Sequence, residues 1–271
     1  MEKEDVLREL KELETALGRR PTRHDSNRVY QLSRKYFEKW NNMMEEAGYE
    51  VRHLQYPKIP EELTNDLAYF LGLLITDGHL QYAKNKRGYT NAATYLFTSY
   101  EEEIDLLVDL IYNIFKYIPY VGKKKKFGFN QREAYQILIT SKQLVITLKE
   151  RFNFPIGNKS LTAIVPKCIM HTTTKNKASF LRGVIDGDGC IKSNGCISIY
   201  SGSKKFIEDL NKILEALQIK SKNILQSRNV FLIYISNKKD IERLYEKCYK
   251  NSVYCYPRKL MSLERIIFKN E

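Results

Sequence analysis

Two aspartates in this sequence stand where carboxylates could hold a cation. Asp77 and Asp188 each close an apolar stretch that occurs twice, as Leu67-Ala-Tyr-Phe-Leu-Gly-Leu-Leu-Ile-Thr-Asp-Gly78 and, 111 positions later, as Ala178-Ser-Phe-Leu-Arg-Gly-Val-Ile-Asp-Gly-Asp-Gly189. A glycine (Gly72, Gly183) precedes each aspartate by five residues, and another follows it directly. Read as helices, both stretches end on acid. The last turn of a helix exposes carbonyls carrying about half a negative charge, so an aspartate placed there makes a negative site more negative. A cation relieves this, and two adjoining carboxylates with carbonyls nearby suit the hard, oxygen-seeking Mg²⁺.

The elements that must position these groups follow from the same residues. A helix that is apolar all round is enclosed by protein on every side, and a run of about ten residues is too short to cross a bilayer. Small residues one turn apart, Gly72 with Thr76 and Gly183 with Gly187, would let the two helices approach backbone to backbone and bring Asp77 beside Asp188. The glycine after each aspartate is expected in the left-handed conformation that ends many helices. A single helix of this kind would be ordinary packing. Two copies, each followed by strand-like sequence and a matched helix, are read as a site.

Each half reads as helix, hairpin, helix, hairpin, helix. After Asp77 come His79–Ala83, a basic turn at Lys84-Asn-Lys-Arg-Gly88 and Ala92–Thr98. An acid-opened helix follows, with Ile104, Leu107, Leu110, Ile111 and Ile114 on its apolar face. Tyr120–Phe127 and Ala134–Thr140 form a second hairpin around Lys123–Lys126, and a further helix starts near Lys142. After Asp188 the order repeats, with a tight Asn194-Gly195 turn and Ile207, Leu210, Ile213, Leu214 and Leu217 answering the first half's amphipathic helix. Ahead of both halves, Val6, Leu10, Leu13 and Leu17 predict a helix closing at Gly18. A second helical segment is expected after Pro21, and one or two short helices from Tyr30 to Gly48. Tyr56-Pro-Lys-Ile-Pro60 reads as a linker, and Thr64 or Asn65 as a helix cap.

The doubled stretch resembles the motif of the LAGLIDADG homing endonucleases, carried here by Leu71-Gly72 through Asp77-Gly78 and Leu181-Arg-Gly183 through Asp188-Gly189, and the resemblance extends over residues 59–271. The pattern Leu17-Gly-Arg-Arg-Pro-Thr, then Tyr36-Phe37-x-x-Trp40-Asn, then Glu46-Ala-Gly48 resembles the short helical repeat that accompanies many homing endonucleases. Glu38 stands where that repeat usually has Gly. The expected fold is α+β: two pseudo-symmetric αββαββα halves, residues 59–158 and 159–271, packed through the motif helices and bearing antiparallel DNA-binding sheets. A small all-α, helix-turn-helix-like DNA-binding domain of residues 1–55 precedes them.

Composition bounds the partner. The net charge of +13 and pI near 9.3 point to a polyanion or an acidic membrane surface. Residues 79–100 hold three basic groups and no acid, 117–142 hold six against Glu133, and 219–236 hold three against none, so the hairpins are basic while the helices carry most of the acid. Such a ribbon fits the major groove of DNA, whereas a membrane partner would call for a basic amphipathic helix, which is not found. Seven Arg or Lys between residues 19 and 39 face only Asp25 and Glu38, which fits a DNA-binding face or simply a solvated one. Five cysteines without metal-ligand spacing read as reduced thiols. No export or import signal is seen, so a cytoplasmic location is expected. The Met start and Lys-Asn-Glu end make an intein an unexpected reading.

The resemblance implies a monomeric, site-specific double-strand DNA endonuclease using Mg²⁺ and a long, non-palindromic target. It implies Asp77 and Asp188 as catalytic metal ligands, with the backbone carbonyls of Thr76 and Gly187 as further candidates. Gln81 and Lys192, each four residues beyond an aspartate, are candidates to orient water or steady the transition state. Lys84, Lys86, Arg87, Lys123, Lys124, Lys125, Lys126, Arg132, Lys220, Lys222 and Arg228 are the expected DNA contacts of the sheets, and Arg19, Arg20 and Arg23 those of the N-terminal domain. Ile75 replaces the motif's usual first aspartate, which Asp186 retains. Two alternatives stay open: an RNA-binding intron maturase, and a catalytically inactive DNA-binding regulator of the same fold.

Overall fold

The structure, a computed structural model, describes residues 1–49, 56–84, 90–124 and 133–268. It divides into two compact units, Met1–Gln55 and Tyr56–Glu271.

The smaller unit is three helices around its own core. Helix α1 (Lys3–Leu17) buries Val6 and Leu10 and ends at Gly18, whose φ of 62° is left-handed as its sequence context predicts. Helix α2 (Asn27–Tyr36) begins six residues after Pro21, not directly after it. The delay has a local cause: the Asp25 carboxylate accepts from the Thr22 amide at 2.7 Å and hydroxyl at 2.8 Å and from the Arg19 guanidinium. Those bonds hold residues 19–25 as a turn until Ser26 caps α2 by accepting from the Val29 amide. Helix α3 (Trp40–Glu46) follows a three-residue turn in which Glu38 has φ 63°. This is the position where glycine is usual, and the left-handed backbone explains why. Val29, Phe37, Met43 and Met44 complete the core.

The larger unit repeats one plan. Its first half runs α4 (Asn65–Asp77), β1 (Gly78–Lys84), β2 (Thr90–Thr98), a 3₁₀ turn, α5 (Ile104–Phe115), β3 (Tyr120–Lys124), β4 (Ala134–Thr140) and α6 (Lys142–Glu150). A short α7 (Lys167–Met170) leads into the second half. That half runs α8 (Thr174–Asp188), β5 (Gly189–Lys192), β6 (Cys196–Ser201), α9 (Lys204–Ala216), β7 (Leu225–Ser227), β8 (Val230–Ile235) and α10 (Lys238–Leu244), then a π-helical turn at Tyr245–Tyr249 and α11 (Pro257–Ile267). The antiparallel sheets have orders β1-β2-β4-β3 and β5-β6-β8-β7, so the expected hairpins join through their second strands. Leu80, Leu96, Ile137 and Ile139, and in the other sheet Ile197, Ile199, Ile233 and Ile235, turn inward into one core shared with the helices. Among the described residues, no helix is long and apolar enough to cross a membrane.

Helices α4 and α8 form the centre of that core. Thr64 caps α4 by accepting from the Leu67 amide. A Cβ on Gly72 would strike the Phe180 carbonyl oxygen and lie 3.0 Å from the Gly183 Cα, and a Cβ on Gly183 would strike the Tyr69 carbonyl oxygen and lie 3.0 Å from the Gly72 Cα. The crossing is symmetric and tolerates only glycine.

Gly78 and Gly189 correct one expectation. Their φ values are −102° and −69°, extended and not left-handed. Both helices turn directly into a strand that passes close over its own last turn. A Cβ would fall 2.7 Å from the Leu74 Cα at Gly78 and 2.7 Å from the Ile185 Cα at Gly189. Space, not backbone sign, selects glycine there.

Candidate functional site

Asp77 and Asp188 end α4 and α8 at the same end of the crossing. A Cβ on Gly187 would meet the Thr76 hydroxyl and stand 3.1 Å from Asp77 Oδ2, so the Asp77 carboxylate lies directly against the other helix. Burial, and after it the Asp188 charge, push the Asp77 carboxyl up to about 7, against the opposing pull of Lys159 and Arg258. Burial likewise raises Asp188, offset by Lys159 and Lys259. Two carboxylates crowded together out of water form the oxygen donor set that a hard divalent cation satisfies, and Mg²⁺ commonly takes one or two carboxylates and completes its shell with water and phosphate oxygens. The residues present fit such an ion. Among the described residues no cluster of three or more His, Cys, Asp or Glu is assembled, so the remaining ligands would come from carbonyls, water or substrate.

Two lysines that sequence reasoning missed complete the site. Lys159 Nζ donates to the carbonyl oxygens of Leu74 and Thr76, each at 2.8 Å, and to that of Gly78. Lys259 Nζ donates to the Gly189 carbonyl oxygen. Gly78 and Gly189 are the same motif position, so the lysines are equivalents in the two halves. Burial pulls Lys159 down to about 8, although Asp188 and Asp77 favour its charge. Each ammonium satisfies carbonyls that the helix end leaves without partners. The available signal was a lysine recurring at an offset of 100, directly after Gly157-Asn158 and directly after Pro257-Arg258.

The chain that carries each lysine also locks the halves together. Arg258 Nε donates at 2.8 Å to Glu103, a buried carboxylate of the first half that also accepts from the Thr98 hydroxyl. Ser203 donates at 2.6 Å to the Ala163 carbonyl and so fixes the segment that carries Lys159 to the rest of the second half. A cleft of about 310 Å³ lies beside Thr76, Lys159, Asp188, Tyr200 and Phe206.

The other candidates fall as follows. The Thr76 carbonyl accepts from Lys159, and Gly187 lies at the helix crossing. Gln81 sits on β1 and accepts from the Tyr95 hydroxyl at 2.8 Å. Lys192 is exposed at the end of β5, beside Ser262 and Glu264 of α11. No contact joins either to the aspartates among the described residues. By backbone, Lys84 closes β1 and Lys124 closes β3. Lys123 is exposed, 3.4 Å from Glu133. Lys86, Arg87, Lys125, Lys126 and Arg132 lie outside the described residues. Lys220 and Lys222 are exposed between α9 and β7, and Arg228 is exposed in the β7–β8 turn. In the smaller unit Arg19 forms a bidentate pair with Asp25 at 2.7 and 2.9 Å, whereas Arg20 and Arg23 are exposed and have no acidic partner among the described residues.

The outward faces of the sheets are less basic than expected. Strand alternation puts His79, Gln81, Tyr95, Phe97, Tyr120 and Gln136 on the first and Cys190, Lys192, Ser198, Tyr200 and Tyr234 on the second. The sequence places its charge at the strand ends and turns, leaving aromatic rings and neutral amides in the middle.

Comparison with known proteins agrees with this architecture. Residues 175–249 match the family profile of the LAGLIDADG-like domain, and residues 1–50 that of the homing endonuclease associated repeat. The homing endonuclease I-DmoI, in complex with DNA and Ca, superposes with a TM-score of 0.57 at 18% identity, covering 76% of this chain and 100% of that one. The homing endonuclease I-WcaI, bound to its DNA recognition sequence, superposes with a TM-score of 0.55 at 16% identity over 81% and 96%. Probable translation initiation factors IF-2 of Thermococcus kodakarensis and Methanocaldococcus jannaschii are each 24% identical, over 205 and 229 residues. Those matches cover 74% and 79% of this chain but 16% and 17% of theirs, so the chain spans about a sixth of the length of these relatives. The chain carries a LAGLIDADG-like domain and a homing endonuclease associated repeat, and its larger unit has the fold of the LAGLIDADG homing endonucleases.

Proposed function

We propose that this protein is a site-specific double-strand DNA endonuclease that hydrolyses one phosphodiester on each strand, acts as a monomer and uses Mg²⁺. The observation that carries the proposal is the pair Asp77 and Asp188, set against each other at one end of a glycine crossing with a four-stranded sheet in each half. I-DmoI has been crystallised with DNA and Mn as well as with DNA and Ca, which supports a divalent ion here.

Asp77 and Asp188 would hold the ion, which when bound would supply Lewis-acid polarisation of the phosphate and acidify the attacking water. The protein's own residues do the rest. Lys159 and Lys259 fix the helix ends and set positive charge beside the carboxylates, where charge builds on the phosphate during hydrolysis. The sheets offer Gln81, Gln136 and Lys192 to base edges in the major groove, and the lysines and arginines at strand ends and turns bind phosphates. Because the two faces carry different side chains, the two half-sites differ and the target is not a palindrome.

The test is incubation with a randomised duplex library and Mg²⁺, followed by sequencing of the cut ends. A single non-palindromic site, cut on both strands and lost with Asp77→Asn, Asp188→Asn or EDTA, is expected. Equal turnover in EDTA, or full cutting by either variant, would refute the assignment.

A further inference from the structure

The smaller unit presents a choice that its sequence leaves open. A three-residue turn joins α2 to α3, the spacing of a helix-turn-helix, and in that motif the second helix enters the major groove. Here the second helix is α3. It has only seven residues, and it ends in Glu45-Glu46 with no Lys or Arg in its last turn. Glu46 is paired with Lys3 of α1 at 3.4 Å, and α3 offers no basic side chain to a phosphate backbone.

Helix α2 has the opposite character. Its ten residues contain no acid. Val29, Leu32, Ser33 and Tyr36 turn toward the core, and at 100° per residue Asn27, Gln31 and Arg34 form the ridge opposite them, all three exposed. None of the three makes a hydrogen bond or ion pair among the described residues. Two neighbouring arginines are tied up: Arg28 is bound to Glu9 of α1 through two bonds at 2.9 and 3.0 Å, and Arg19 to Asp25. Apart from Glu38 in the α2–α3 turn, the acid of the unit lies on or beside α1 and α3 or is paired with Arg19, while α2 keeps unspent donors. A hollow of about 370 Å³ lined by Arg23, His24, Asn27 and Tyr30 lies at its N-terminal end.

We propose that α2, and not α3, is the helix of the smaller unit that enters the major groove of duplex DNA, with Asn27, Gln31 and Arg34 as its base-reading residues. Asn and Gln amides match the paired acceptor and donor of adenine, and the Arg fork matches the two acceptors of guanine. Arg20 and Arg23 contact flanking phosphates, and the clamped turn of residues 19–25 presents them in a fixed shape. The proposal rests on the DNA-binding reading above and adds a second reading head to the one formed by the two sheets.

The test is selection of a randomised duplex library by binding to the full chain in EDTA, so that it does not depend on hydrolysis. Asn27→Ala/Gln31→Ala/Arg34→Ala should lose base preference over one short block while preference elsewhere is kept, and Arg34→Ala alone should weaken binding to the selected site about tenfold or more. All three positions are exposed, so the melting temperature should stay unchanged. Arg34→Lys should restore charge but not preference. Unchanged preference in the triple variant, full rescue of affinity and preference by Arg34→Lys, or loss of preference in Asn42→Ala on α3 instead would overturn the proposal. A wild-type chain that retains no duplex would overturn it as well, whereas one that selects a sequence but never cuts it contradicts only the hydrolytic reading.

Discussion

Lys159 donates from its ammonium to the Thr76 carbonyl oxygen at 2.8 Å, one residue before the aspartate that ends α4. The same nitrogen reaches Leu74 and Gly78, so one side chain closes the helix end and places a positive charge beside both carboxylates. Lys159→Met should leave these carbonyls unpaired and lower single-turnover cleavage by ~10²-fold or more, while target affinity stays within about tenfold. Wild-type rates in this variant would show that the lysine only caps the helix.

The raised carboxyl of Asp77 has a stability consequence whose sign is fixed. Its folded value, about 7, lies above the ordinary carboxyl value of 3.8, so the native state holds a proton that the unfolded chain releases. The resulting stabilisation is fully present below pH 4 and is lost as pH rises toward 7. In EDTA at pH 8, Asp77→Asn should therefore exceed wild type by up to ~4 kcal/mol, and the two should converge near pH 4. Mg²⁺ should close the gap at pH 8. Urea unfolding at both pH values decides the matter, and a variant less stable than wild type at pH 8 would contradict the burial of this carboxylate.

Gly72→Ala or Gly183→Ala should cost ~3 kcal/mol or more, because the added methyl meets a backbone carbonyl of the facing helix and no rotamer can relieve it. Thermal unfolding of either variant tests the seam, and a loss under ~1 kcal/mol would mean the helices are not in backbone contact.

Asp186 is wholly buried and accepts from the Tyr69 hydroxyl at 2.7 Å, the Tyr249 hydroxyl at 2.8 Å and the Tyr256 amide at 2.8 Å. Burial raises its carboxyl to about 6 despite those three donors. Asp186→Ala should cost ~3 kcal/mol or more by orphaning all three donors. It should also slow cleavage, since Tyr256 immediately precedes α11, which carries Arg258 and Lys259. Normal cleavage in a destabilised but folded variant would separate the network from the active site.

The order of elements was legible because their periodicities are local. Apolar spacing marks α4, α5, α8 and α9, and the Asn194-Gly195 turn marks the β5–β6 hairpin, where Gly195 takes φ 80°. The two aspartates were legible because they recur with their glycines. What was not legible depends on contacts distant in sequence. Lys159 lies more than eighty residues from Asp77 and follows no periodic pattern, so only the fold brings it back to Gly78. Asp186 could be read as a departure from symmetry with Ile75, but not as the acceptor for three groups from three segments. The glycines after each aspartate were read through the commonest reason for glycine at a helix end, and the real reason, a strand passing over its own helix, is set by the sheet.

Gly72 and Gly183 each need the other's backbone and neither tolerates a methyl group, so a change at one cannot be absorbed by drift at the other. Among the described residues, Gln81, Tyr95 and Gln136 on one sheet and Cys190, Lys192 and Tyr234 on the other have no such reciprocal contact across the seam. A chain under this constraint keeps its seam frozen and leaves its two faces free to diverge, so on the proposed function the two half-sites would change one at a time.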